Sequence, residues 1–167
     1  IEQAGTYRLP EAQLDRFLMK TSIGYPDHAA TVKILETSSA PSASVPLASV
    51  VPAATITEMA ALARTVHVDA VIADYVARLV DATRSASEVR LGVSVRGAMG
   101  LIRASRVLAA LSGRHYVTPD DVKALAVPVL AHRLVLDAEA EFDGVSAPSV
   151  IAQLLVETPP PADRVTT

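Results

Sequence analysis

The most constraining stretch of the sequence is Leu91 to Gly113, which reads LGVSVRGAMGLIRASRVLAALSG. Apolar and small residues recur in it every three or four positions, which is the spacing of one face of an α-helix. Ser94 can accept a hydrogen bond from an unpaired amide of the first turn, and Gly113 can adopt the left-handed conformation that ends helices. The stretch therefore predicts a capped helix that packs one face against a core.

Arg96 falls in the first turn of this predicted helix, where a positive side chain opposes the positive end of the helix dipole. An anion held between the guanidinium and the unpaired first-turn amides would relieve that conflict. The alternative is that Arg96 points into water, as most surface arginines do. From this stretch alone, the solvent-exposed arginine is the simpler interpretation.

Composition narrows both the fold and the classes of function. Half of the 167 residues are hydrophobic but only 4% are aromatic, which favours helical packing over an aromatic-rich β-sandwich. A net charge of −3 argues against a dedicated nucleic-acid-binding protein. The sequence has no cysteine, so disulfides are excluded and a cytoplasmic location is expected. No apolar run approaches the ~20 residues that span a bilayer, so no membrane insertion is expected.

Capping signals predict further helices on both sides of this stretch. Pro10 opens a short helix, and Asp27 caps a second one, whose inward residues are expected to be Ala30, Ile34 and Leu35. Thr55 has Glu58 three positions later, the spacing of a capping box, which predicts a helix that runs to about Arg64. A separate, longer helix is predicted over 69–83.

Two more helices are predicted after Gly113. Thr118 caps the first, which Pro128 is expected to break into two segments. Ser146 caps the second, which runs from 148 to about 156, and a brief strand is predicted at 134–136.

Residues 17–23 alternate in polarity and predict one short strand, which Gly24 and Pro26 stop. A lone strand has no ladder partner, so we expect its sheet in a part of the protein that this sequence does not contain. Residues 37–54 are rich in Ser, Pro and Ala and predict a flexible connection, and 158–167 predict a disordered tail. The expected fold class is mainly α, a helical bundle behind a short α/β remnant.

Searches for motifs that carry chemistry find little. The lysines do not follow glycine, so no Gly-rich phosphate loop ends at Lys20, Lys33 or Lys123. The histidines lie far apart without carboxylates at ligand spacing, so no metal site is expected at His28, His67, His115 or His132. The isolated chain is expected to catalyse nothing and to bind no cofactor.

Arg16 is the second arginine of interest. Its simplest role is a salt bridge with Glu11 or Asp15. Its functional interpretation is an arginine finger, a guanidinium lent to a neighbour's nucleotide to neutralise charge that develops on the γ-phosphate. Arginine suits this task because it is always charged and presents a planar fork of donors.

Two separated motifs, in the right order, closely resemble MoxR-type AAA+ ATPases. The first is LPEAQLDRF at 9–17 followed by SIGYPD at 22–27, and the second is LGVSVRGAMGLIRASRVLAALSGRHYVTPDDVKALAVPVLAHRL at 91–134. The resemblance covers residues 1–35 and 55–157, with a gap at the variable connection between them.

The resemblance implies that residues 1–26 are the end of the nucleotide-binding α/β core, with the arginine-finger helix and the last strand. Residues 27–157 would then be the α-helical lid domain. Arg16 in LDRF matches the arginine finger, which acts in trans across a subunit boundary. Arg96 in GVSVRG matches sensor 2, which contacts the γ-phosphate of its own subunit's ATP. The nucleotide-binding positions implied in this motif are Ser94, Val95 and Arg96.

The sequence departs from the family pattern at Val95, where proline is common, and at Gly97, where alanine is common. Proline would pre-set the first helical turn, and glycine costs about 0.5–1 kcal/mol relative to alanine inside a helix. Arg96 is therefore expected to be held less rigidly here.

By this likeness, the parent protein binds ATP and Mg²⁺ and forms a ring, expected to be a hexamer, that matures protein complexes or inserts their cofactors as a chaperone. Its expected partners are the neighbouring subunits and a protein with a von Willebrand factor A domain. Walker A, Walker B and sensor 1 are absent from this chain, so hydrolysis would belong to the parent. The alternative function is a non-enzymatic interaction module that uses the helices at 119–134; a DNA-binding helix pair is disfavoured because no basic recognition helix is present.

Overall fold

The computed structural model describes residues 10–37 and 48–161, and within them the chain is mainly helical, as predicted. A two-stranded antiparallel sheet joins the helices, and a 3-10 turn at Ala131–Arg133 follows α6. The elements are α1 (Glu11–Leu14), α2 (His28–Thr37), α3 (Ala53–Thr65), α4 (Ala70–Ser85), β1 (Val89–Leu91), α5 (Val95–Leu111), α6 (Pro119–Leu130), β2 (Val135–Leu136), α7 (Ala138–Phe142) and α8 (Ala147–Glu157).

The hydrophobic core lies between α4, α5, α6 and α8, and its helices begin at the predicted caps. Ser94 caps α5 and Thr118 caps α6, and each side chain accepts a hydrogen bond from a first-turn amide. Each cap contributes about 1 kcal/mol, whereas each large apolar side chain that is fully buried contributes about 1.5–3 kcal/mol. Packing therefore dominates the stability of the bundle, through fully buried residues such as Tyr75, Leu79, Leu101, Val122, Leu130 and Ile151.

Two short backbone pairings close the bundle. Val89 of β1 pairs with Leu136 of β2, which confirms the strand predicted at 134–136. His67 forms a parallel bridge with Tyr116, and this bridge ties the segment after α3 to the segment before α6.

The start of α3 differs from the prediction. The helix begins at Ala53 behind Pro52, so Thr55 lies inside the helix and the Thr55–Glu58 capping box does not form. Alanine is the strongest helix former, so extending the helix over Ala53 and Ala54 costs little free energy. The predicted connection at 37–54 thus ends in helix, and residues 38–47 lie outside the described residues.

The predicted break at Pro128 is also wrong, because α6 continues through it to Leu130. Proline in a helix removes one amide donor. Here Pro128 lies in the last turn, where the helix tightens into the 3-10 turn, so the loss is tolerated. The Pro128 carbonyl accepts a hydrogen bond from the amide of Lys20 at 2.9 Å.

The segment before α3 departs furthest from expectation. The Asp27 cap of α2 is confirmed, since its Oδ1 accepts from the Ala30 amide at 2.7 Å. The expected inward residues of α2, including Ala30, are exposed instead; Ile34 is 56% and Leu35 65% exposed. The strand predicted at 17–23 is absent, because its first carbonyls bind a side chain of the bundle rather than another strand.

The described residues continue past the predicted end of the lid at residue 157, to residue 161. Thr158, assigned to the tail, is buried and donates its amide to the Leu154 carbonyl at 2.9 Å. Residues 1–9 of the predicted core segment and 162–167 of the tail lie outside the described residues. Within the described ranges, every helix is too short or too polar to cross a bilayer.

Candidate functional site

The N-terminus of α5 is occupied by a carboxylate from far earlier in the chain. The Ser94 hydroxyl accepts a hydrogen bond from the Gly97 amide at 3.3 Å. The same hydroxyl donates to the Asp15 carboxylate, at 2.9 Å from Oδ1 and 3.0 Å from Oδ2. A negative group is favoured at this end of a helix because it faces the positive end of the dipole. Asp15 therefore places a negative group beside the cap of α5, bonded to the Ser94 hydroxyl, which is not the position between Arg96 and the first-turn amides where the sequence predicts an anion.

Arg133 holds the other side of that carboxylate. Its side chain is only 3% exposed, and its Nη1 lies 2.6 Å from Asp15 Oδ1. Nη1 also donates to the Asp15 carbonyl, and Nη2 donates to the carbonyls of Phe17 and Leu18. Nε donates to the Val129 carbonyl at 2.8 Å. A buried guanidinium is costly unless its donors are paired, and each of these nitrogen atoms has an acceptor.

Two neighbouring contacts extend this attachment. The Lys20 amide donates to Pro128, and the His132 Nε2 lies 3.1 Å from the Phe17 carbonyl oxygen. Burial lowers the pKa of His132, and the nearby charge of Arg133 lowers it further, while the hydrogen bond to Phe17 partly opposes them. Residues 15–20 are therefore fastened to the end of α6 by both side chains and backbone.

Gly97 leaves room for the Arg133 side chain. A Cβ atom on Gly97 would lie 2.4 Å from Val93 Cγ1 and 3.0 Å from Arg133 Cδ. Both distances are shorter than a comfortable van der Waals contact, so alanine would displace its neighbours. The departure from the family pattern at Gly97 thus has a steric reason, whereas looser holding of Arg96 stays a prediction.

Arg16 and Arg96 are both exposed, and neither guanidinium has a carboxylate partner within residues 10–37 and 48–161. The two acids predicted as partners for Arg16 are engaged elsewhere: Glu11 pairs with Arg90 at 3.1 Å, and Asp15 pairs with Arg133. The Asp15–Ser94 hydrogen bond brings together the two segments that carry these arginines. Both guanidinium groups are consequently available to an anion from elsewhere.

The positions next to Arg96 differ in accessibility. Val95 is exposed at the first residue of α5, and Ser94 is half-buried because its hydroxyl faces Asp15. Of the implied nucleotide-binding positions, Ser94 is therefore already hydrogen-bonded within the chain. We find no group of three or more His, Asp or Glu side chains placed to bind a metal ion in the described part of the chain.

The pairing of Arg133 with Asp15 was not predicted from the sequence, which offered Asp15 only as a partner for Arg16. A signal was present for Arg133, because its spacing places a charged residue on the same face as Val122, Ala126 and Val129, all of which are buried. A charge on a buried helical face requires a partner. The partner lies 118 residues away in sequence, so spacing could not identify it.

Comparison with known proteins identifies the class to which this helical domain belongs. Residues 81–154 match the family described as the AAA lid domain. This range contains α5, the Ser94 cap, Arg96 and Arg133. We call Arg133 the latch because its guanidinium holds Asp15, Phe17 and Leu18 against the bundle. The bundle is therefore an AAA lid domain.

Similar proteins extend the comparison to most of the chain. The uncharacterized protein YeaC of Bacillus subtilis is 37% identical over 98% of this chain, and chaperone MoxR1 of Mycobacterium tuberculosis is 38% identical over 93% of it. A crystal structure of a protein from Cytophaga hutchinsonii, provisionally designated an ATPase, covers 97% of this chain with a TM-score of 0.85 and 31% identity. Over most of its length, the chain is therefore similar to MoxR proteins.

The chain spans about half the length of these relatives. It covers 51% of YeaC and 43% of MoxR1, and it covers 52% of the Cytophaga hutchinsonii protein.

Proposed function

We propose that this chain is the lid portion of a MoxR-like AAA+ ATPase and supplies two arginines to ATP hydrolysis. Arg96 acts as sensor 2 on the ATP of its own subunit, and Arg16 acts as an arginine finger on the ATP of the neighbouring subunit. The observation that supports this most is that both guanidinium groups are exposed and that neither has a carboxylate partner in the described part of the chain.

The chemistry of the two arginines suits phosphoryl transfer. Negative charge builds on the γ-phosphate oxygens in the transition state, and a guanidinium can donate two parallel hydrogen bonds to them. Arg96 has an exposed position in the first turn of α5, next to the Ser94 cap, and has no carboxylate partner in the described part of the chain. ATP and Mg²⁺ would be held by the remainder of the protein, and this chain would contribute charge and orientation.

The relatives and the family resemblance support a proposal for the cellular role. MoxR1 is named a chaperone, and AAA+ proteins assemble as rings in which a finger can reach the next subunit. We therefore infer a ring, with a hexamer as the expected size, that works in the cytoplasm on the maturation of protein complexes or the insertion of their cofactors. A protein with a von Willebrand factor A domain is the expected partner.

Mixed rings test the proposed trans action of Arg16. One population of full-length subunits carries Arg16→Ala, and the other carries an inactive Walker motif but an intact Arg16. In a mixed ring, an intact finger from a Walker-inactive subunit can serve the ATP site of its Arg16→Ala neighbour. We expect ATPase activity in the mixture that exceeds the sum of the two pure populations, and no gain on mixing would contradict a trans finger.

A further inference from the structure

We propose that Asp15 couples the two arginines, so that ATP sensed by a subunit through Arg96 adjusts the finger that the same subunit offers to its neighbour through Arg16. This inference rests on the proposed function of both arginines. Asp15 would be a positioning residue, because its carboxylate acts through Ser94 and Arg133 rather than on the nucleotide.

One carboxylate joins the two segments that carry Arg16 and Arg96. Asp15 directly precedes Arg16 in sequence, and its carboxylate accepts from the Ser94 hydroxyl at 2.9 Å. Ser94 in turn caps the first turn of α5, which contains Arg96. A displacement of this turn would therefore be transmitted to Asp15 through a single hydrogen-bonding residue.

Arg133 holds the backbone on both sides of Arg16. Arg133 donates to the Asp15 carbonyl before Arg16 and to the Phe17 carbonyl after it. The Arg16 backbone is therefore fixed at both ends, while its side chain stays exposed. Such a clamp moves the finger as part of the lid instead of letting it swing independently.

The Ser94 hydroxyl links Asp15 to the first turn of α5 through two hydrogen bonds. It donates to Asp15 and accepts from the Gly97 amide, and Arg96 lies between Ser94 and Gly97 in sequence. If Arg96 contacts a phosphate and shifts the first turn, the Ser94–Asp15 hydrogen bond must move with it or break. ATP binding in one site would then change turnover in the adjacent site, which appears as cooperativity around the ring.

The test compares Asp15→Asn with Asp121→Asn in the full-length protein. The Asp121 carboxylate pairs with the Arg114 guanidinium at 2.6 Å, and the Asp121 side chain is 6% exposed. It lies at the opposite end of α6 from the latch, roughly 18 Å away along the helix. Asp121→Asn therefore removes a carboxylate from an arginine pair of the same kind without touching either finger or sensor.

The readout is the Hill coefficient of the ATPase rate against ATP concentration, with the melting temperature as the control for folding. We expect a wild-type coefficient above 1 and a value close to 1 for Asp15→Asn, together with a kcat lowered about tenfold. Ser94→Ala, which breaks the same link from the other side, should have the same effect on the coefficient. Asp121→Asn should keep the wild-type Hill coefficient, even if it lowers the melting temperature by as much as Asp15→Asn does.

Two outcomes would overturn the coupling alone. Either the wild-type coefficient is 1, or Asp15→Asn and Ser94→Ala keep the wild-type coefficient while Arg16→Ala and Arg96→Ala each reduce turnover. If Arg16→Ala and Arg96→Ala both turn over ATP at the wild-type rate, the proposed function fails and the coupling fails with it.

Discussion

The carboxylate of Asp15 lies 2.6 Å from the guanidinium of Arg133, across 118 residues of sequence. Around this pair, the guanidinium also binds the carbonyls of Asp15, Phe17 and Leu18. One buried side chain thus replaces the strand pairing that the sequence of residues 17–23 had suggested, and it attaches the segment of Arg16 to the lid.

Replacing Arg133 should destabilise the protein far more than replacing an exposed arginine. Arg133→Met leaves the Asp15 carboxylate with the Ser94 hydroxyl but no cation, and removes the guanidinium donors of several carbonyls. The loss of one partner of a buried pair costs about 3–5 kcal/mol. Urea denaturation gives the free energy of unfolding for this comparison. The matched control is Arg90→Met, whose exposed pair with Glu11 should contribute about 0–1 kcal/mol. Equal losses for the two variants would show that Arg133 is not a latch.

The two glycines in the first half of α5 should respond oppositely to alanine. Gly97→Ala places a Cβ 2.4 Å from Val93 Cγ1, and Val93 is fully buried, so overpacking should cost about 1–3 kcal/mol. At Gly100, the nearest atom to such a Cβ is Leu18 Cδ1 at 3.5 Å, an ordinary contact. Gly100→Ala should therefore be neutral or gain up to about 1 kcal/mol of helix propensity. Thermal unfolding of both variants decides this, and a Gly97→Ala protein as stable as Gly100→Ala would refute the steric account.

Stability should fall as the solution is acidified through the range in which His132 takes up a proton. Burial and the charge of Arg133 lower the pKa of His132 in the folded state, so the unfolded chain binds a proton at a higher pH than the folded chain. Between the unfolded value near 6.5 and the lowered folded value, the free energy of unfolding therefore decreases with decreasing pH. Below the folded pKa, both states are protonated and this contribution stops changing.

The measurement is the free energy of unfolding at several pH values for the wild type, His132→Gln and His28→Gln. Glutamine at position 132 cannot titrate, so the free energy of unfolding should change less with pH in this range. Replacement of the exposed His28 should leave the pH dependence as it is in the wild type. A slope that persists unchanged in His132→Gln would assign the pH dependence to another group.

The features best predicted from the sequence are those that depend on residues close together in the chain. Ser94, Thr118 and Ser146 cap their helices as expected, because a cap needs only a side chain and an amide two or three residues away. The apolar spacing of α5 likewise predicted a helix with one face packed against the core, where Leu101, Ala104 and Ala109 are buried.

Contacts between residues far apart in the sequence could not be predicted from the spacing of residue types. Alternation at 17–23 resembles a strand whether its carbonyls meet another strand or a guanidinium, so only the position of Arg133 distinguishes the two. For the same reason, the sequence predicted that an anion would suit the N-terminus of α5 but not that Asp15 would lie there. The accessibility of Arg16 depended in turn on Arg133 and Arg90 engaging the acids next to it.

The most direct test of the account is the ATPase turnover of full-length Arg96→Ala beside that of Arg103→Ala. Both arginines are exposed on α5 and have no acidic partner in the described part of the chain, but only Arg96 lies in the first turn next to Ser94. We predict that Arg96→Ala lowers kcat by at least tenfold with an unchanged melting temperature, while Arg103→Ala keeps the parental rate. Parental turnover in Arg96→Ala, or an equal loss in both variants, would contradict the assignment of Arg96 as the γ-phosphate sensor.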